Sequence, residues 1–132
     1  MNTLNILSTG VLVLIAAGIF KRKTASWHWP LMGLAFALDM GMVLYIEITR
    51  EAIKATVSGP PPMLMFHIIV SSLVIVLYLV QFYLGVQLLT GKAVSPASHR
   101  NVGITFIILR CINYITSFVI PMAAVAEYSP FN

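Results

Sequence analysis

Four apolar runs, Leu4 to Phe20, Pro30 to Thr49, Met63 to Leu89 and Val102 to about Ala124, fill most of this chain and constrain what it can fold into. A helix rising 1.5 Å per residue needs roughly 20 residues to cross a hydrocarbon core of about 30 Å. The first run is just long enough, and the third must tilt or protrude. Only 9% of the 132 residues are charged, while 59% are apolar. That is too little charge to cover a water-exposed globular surface, so a soluble domain and a disordered tail are both excluded. The sequence predicts an all-α integral membrane protein, a single four-helix bundle with short connections whose outer faces meet the lipid bilayer. A net charge of +4 would suggest nucleic acid in a polar chain. Here the cations sit at the ends of apolar runs, where topology explains them, and no nucleic-acid partner is expected.

Charge and punctuation set the orientation. Lys21, Arg22, Lys23, Lys92 and Arg100 lie on one side of the four spans, and Arg50 and Lys54 on the other. The positive-inside rule then places both termini outside the cytoplasm of a bacterial-type inner membrane. No positive charge precedes the first run and three follow it, the order of a retained span rather than a signal peptide. Pro30 is expected to start the second span, and Pro60-Pro61-Pro62 to open the third. Gly91, Pro96 and Ser98 mark an internal loop, and Pro121 is expected to kink or end the fourth span. Gly33, Ala37 and Gly41 form a small-residue ridge expected to face the bundle. Cys111 is the sole cysteine and permits no internal disulfide.

The polar residues inside the runs carry the functional information. Asp39 in the second span and Arg110 in the fourth fall at similar depth. A lone charge at the centre of a bilayer costs about 2.5 to 3.5 kcal/mol on insertion scales, so an ion pair between them is the expected arrangement. Arg110, Asn113 and Ser117 share one helix face, an inward polar stripe. Two roles are open for Asp39, Arg110 and Asn113: fixing helix register, or forming a proton relay or quinone site. His28 precedes Asp39 by eleven residues, and His99 precedes Arg110 by eleven, so HWPLMGLAFALD parallels HRNVGITFIILR. Either a weak internal repeat or coincidence accounts for this. His67 belongs to the opposite rim, with Ser71, Tyr78 and Gln81 on a similar face and Glu47 at similar depth, while Arg50, Glu51 and Lys54 read as a solvated helix end.

This topology keeps one metal from reaching all three histidines. A b-type haem needs two axial ligands at one depth, which only His28 and His99 provide; the competing reading makes them interfacial residues, His28 within a Trp27-His28-Trp29 belt. His67 is left as a candidate metal ligand at the far rim. The chain contains no GxGxxG, Walker loop, CxxC, CxxCH or HExxH, and its seven methionines read as core filler rather than copper ligands.

The run from His28 to Met32 with Asp39 and Tyr45-Ile-Glu47, then Phe66-His67 with Ser71-Ser72, then His99-Arg100 leading to Arg110 and Tyr114 to Ser117, resembles the small histidine-bearing membrane proteins of the YozB/CtaM type. The resemblance covers about residues 28 to 118. It implies a multi-helix protein of the cytoplasmic membrane linked to maturation of haem-copper cytochrome oxidase, with His28, His67 and His99 as candidates for a metal or haem role and packing as their alternative. The expectation is therefore a non-enzymatic accessory or assembly subunit of a larger respiratory or redox membrane complex. A b-haem- or quinone-binding electron-transfer subunit is the alternative, and a small transporter ranks third.

Overall fold

The computed structural model describes residues 3–50 and 59–127; the expected Arg50/Glu51/Lys54 cluster falls largely outside them, and the Arg50 side chain is not among those described. The described residues form four helices, α1 Thr3–Phe20, α2 Ala25–Arg50, α3 Pro62–Leu89 and α4 Pro96–Glu127. All four are long and apolar enough to cross a membrane. The chain is a multi-pass membrane protein of the all-α class. It divides into two compact units, Met1–Ala55 and Thr56–Asn132, each built on a helical hairpin: α1 packs on α2 in the first, α3 on α4 in the second.

The hairpin turns explain why the chain reverses where it does. After α3, Gly91 adopts a left-handed φ of 69°. Its N–H donates to the Leu88 carbonyl at 3.2 Å, and Lys92 N–H to the Gln87 carbonyl at 3.0 Å. Those are the two bonds of a Schellman motif, which satisfy last-turn carbonyls that would otherwise lack donors. A residue with a Cβ meets its following carbonyl in this conformation, so glycine is the residue that suits the turn. At the other end of α3, Pro61 precedes the first helical residue, Pro62, whose missing N–H costs nothing there.

The two second helices begin alike. Thr24 O accepts from the N–H groups of Trp27 and His28, and Ser95 O accepts from those of Ser98 and His99. His28 and His99 are each the fourth residue of their helix, and a buried charge follows each eleven residues later. The parallel seen in sequence thus extends to backbone geometry.

Two sequence expectations about helix ends are corrected. Helix α2 begins at Ala25, five residues before Pro30, because the Thr24 carbonyl closes the first turn upstream of the proline. Pro30 then only withholds a donor from the Ser26 carbonyl, near the helix end where water reaches it. Helix α4 begins at Pro96 rather than Val102 and runs through Pro121 to Glu127. Hydropathy marks the membrane-crossing part of a helix, whereas backbone hydrogen bonds set its ends. Within the α1/α2 hairpin, α2 does not pack through the Gly33/Ala37/Gly41 ridge, since a Cβ at Gly33 or Gly41 would meet nothing within 4 Å. The inward line of α2 runs instead through His28, Met32, Ala35 and Asp39, alternating four- and three-residue steps.

Equilibrium unfolding in mixed detergent micelles checks this assignment. Gly91→Ala should lose about 1 to 2 kcal/mol from its left-handed backbone, whereas Gly33→Ala and Gly41→Ala should be neutral or slightly stabilising.

Candidate functional site

The α3/α4 hairpin carries a ladder of polar and aromatic contacts. On α3 the inward residues are His67, Ser71, Val74, Tyr78, Gln81 and Gly85; on α4 they are His99, Gly103, Phe106, Arg110, Asn113 and Thr116. Apart from the last step to Thr116, both lines alternate steps of three and four residues. That period keeps a seam facing its partner along two slightly supercoiled helices. The sequence expectation that His67, Ser71, Tyr78 and Gln81 share a face agrees with this geometry.

Hydrogen bonds fix the chemistry of each rung. The Thr116 hydroxyl donates its single hydrogen within its own helix, to the carbonyls of Ile112 and Asn113, both at 3.0 Å. The same hydroxyl lies 2.7 Å from His67 Nδ1, a hydrogen bond between α3 and α4. One turn inward, Ser71 Oγ donates to Asn113 Oδ1 at 2.6 Å. In the middle, the Tyr78 and Phe106 rings pack with centroids 4.3 Å apart and planes inclined by 56°. Arg110 is 3% exposed on the same face of α4 as Phe106 and Asn113.

The rung nearest the turn depends on two glycines. Gln81 Nε2 donates to His99 Nε2 at 3.2 Å. A Cβ at Gly103 would stand 2.9 Å from that amide nitrogen, and one at Gly85 would stand 3.4 Å from His99 Cε1. Each glycine opens a notch for the polar side chain of the facing helix. Among the described residues Gln81 Oε1 is buried without a hydrogen-bond partner. A half-turn of the amide would bring this oxygen to the ring, so Gln81 complements either tautomer of His99.

In the first unit His28 acts on the end of α1. Lys21 N–H bonds Ala17 O, but Arg22 N–H turns to Ile19 O, which leaves the intervening Gly18 carbonyl without its usual backbone donor. His28 Nδ1–H takes that role at 2.7 Å. Gly18 also admits Met32, whose sulfur would lie 2.6 Å from a Cβ there. Val11, Ile15 and Gly18 form the buried line of α1. Asp39, 7% exposed, lies on the inward line of α2.

The predicted site residues therefore fall in two groups. His67, His99, Arg110 and Asn113 lie along the α3/α4 seam, while His28 and Asp39 belong to the α1/α2 hairpin. Among the described residues no three His, Cys, Asp or Glu side chains gather as a metal ion would require. For a haem iron, His28 has a fitting tautomer, since a ligating histidine commonly donates its other ring N–H to a carbonyl. His99 does not fit as it stands, because its Nε2 already accepts from Gln81.

Sequence reasoning missed Gly18, Thr116 and Gln81 as the hydrogen-bond partners of His28, His67 and His99, and Gly85 and Gly103 as the notches that admit His99 and Gln81. The glycines do carry a signal: Gly85 follows Gln81 and Gly103 follows His99 by four residues, one helical turn, on the polar face. Comparison with known protein families, with characterised proteins and with solved structures finds no match in any of the three.

A double-mutant cycle on Ser71→Ala and Asn113→Leu should give a coupling of about 0.6 kcal/mol, with about 1.7 as a ceiling, the range of hydrogen bonds between membrane helices. Gly103→Val should destabilise more than Gly10→Val, since the former drives methyl groups into the Gln81 amide and the latter meets open space. Unfolding in mixed micelles measures both.

Proposed function

We propose that this protein is a non-enzymatic accessory or assembly subunit of a larger respiratory or redox complex in a bacterial-type cytoplasmic membrane. It resembles a cytochrome oxidase maturation factor, and its termini lie outside the cytoplasm. One observation carries the reading: each of the three histidines makes a hydrogen bond to the other helix of its own hairpin, with Gly18, Thr116 and Gln81 as partners. Side chains bonded in this way hold helices together and leave the outer faces to lipid and to a larger partner. The same reading keeps for Asp39 and Arg110 the role expected from sequence, a charge pair that fixes helix register as buried charges can.

The test is deletion of the gene in a host that makes a haem-copper oxidase, followed by complementation. The deletion strain should lose most oxidase activity and oxidase haem absorbance from its membranes, and the purified chain should itself show no Soret band. Unchanged oxidase levels would sink the proposal. Asp39→Asn should lower the amount of assembled protein, and the charge exchange Asp39→Arg with Arg110→Asp should restore part of it. Normal assembly of Asp39→Asn with activity lost would instead identify a proton relay.

A second reading, a b-haem or quinone subunit, is favoured by the His28 tautomer alone. Under it the purified protein carries a haem spectrum that His28→Ala abolishes, or binds a quinone in a manner that Asn113→Leu and Arg110→Gln weaken.

A further inference from the structure

The α1/α2 turn concentrates positive charge. Lys21, Arg22 and Lys23 are consecutive and all exposed. No Asp or Glu occurs before Asp39, and that carboxylate stands about 20 Å along α2 from the turn. The turn joins two membrane-crossing helices, so its cations stand at the level of the lipid headgroups. Around them lies an exposed aromatic collar: Phe20 is 83% exposed, Trp27 61% and Trp29 56%. The Lys21 ammonium sits 5.9 Å from the Phe20 ring centre, a contact that holds an aliphatic stem along an apolar surface with its charge outward. Aromatic rings at the boundary between acyl chains and headgroups, with cations just beyond, match an amphiphile that is apolar on one side and anionic on the other.

We infer that the Lys21-Arg22-Lys23 turn, with Phe20, Trp27 and Trp29, is a binding site for an anionic phospholipid headgroup. Phosphate oxygens accept from the Arg22 guanidinium and from the two ammonium groups, while the collar packs on the glycerol and upper acyl carbons. The α3/α4 turn has two exposed cations, Lys92 and Arg100, and no three-cation run, so it holds anionic lipid more weakly. The site stands on charge and exposure alone and does not depend on the role in oxidase assembly.

Native mass spectrometry of the full chain, extracted in mild detergent and offered an equimolar mixture of phosphatidylglycerol and phosphatidylcholine, reads the preference directly. Wild type should retain phosphatidylglycerol selectively. The preference should fall about fivefold for each of Lys21→Gln, Arg22→Gln and Lys23→Gln, and it should weaken as salt rises. The charge-preserving pair Lys21→Arg and Lys23→Arg should keep it, and Lys92→Gln should change it less than any of the three. Equal retention of the two lipids by wild type overturns the proposal. So does a triple glutamine variant with wild-type helicity that keeps the preference, or displacement of the lipid by inorganic phosphate at equal concentration. Should the triple variant fail to fold, the single variants and the salt dependence still decide.

Discussion

A polar group inside a bilayer has no water to turn to, and this constraint organises the described structure. Where α3 and α4 carry polar side chains between their termini, several of those side chains meet across the seam. Ser71 donates to Asn113, Gln81 donates to His99, and His67 bonds the Thr116 hydroxyl. Hydrocarbon outside the pair is as apolar as leucine, so the hydrophobic effect does little to favour one helix contact over another. Directional bonds and close packing at small residues then set the register. Gly85 and Gly103 belong to the same device, because an imidazole or an amide can cross between two helices only where the facing backbone lets it approach.

The same logic operates at the helix ends. Turning a chain within a few residues strands carbonyl groups, and the two hairpins solve this in different ways. After α3 a left-handed glycine folds the backbone back on its own carbonyls. After α1 there is no such glycine, and a side chain from the next helix, His28, reaches back to the stranded Gly18 carbonyl. The downstream halves then converge, with Thr24 and Ser95 closing equivalent first turns ahead of equivalent histidines. The two hairpins thus share a second-helix start and differ in how their first helices are capped.

For function, the histidines matter more through what they bond than through their number. At His28 it is the Nδ1–H that bonds the facing helix, and at His67 Nδ1 is likewise the atom that meets its partner. His99 differs, since its Nε2 is the atom that meets Gln81. A shared axial-ligand role would ask equal behaviour of His28 and His99, whereas a role in holding hairpins together asks only that each find a partner on the adjacent helix. The proposed function rests on the second of these uses.

Much of the architecture was legible in the amino-acid sequence. Apolar run length determined the number of crossings, because bilayer thickness and helix rise are physical constants of the problem. The common face of His67, Ser71, Tyr78 and Gln81 followed from helical period, and the parallel between the second and fourth runs was visible as spacing. Helix ends were misjudged at Ala25 and Pro96, since a helix extends past its apolar part wherever a backbone carbonyl can accept from the first turn. The face that α2 turns to α1 was not legible for a related reason: small residues permit close approach on any face, but only packing selects the face that is used, and within this hairpin it selected the line through Met32 and Ala35. Hydrogen-bond partners were decided by tertiary structure alone. Which side chain meets His67 depends on the relative register of two helices far apart in sequence, and a shift of one residue would have offered the imidazole a different neighbour.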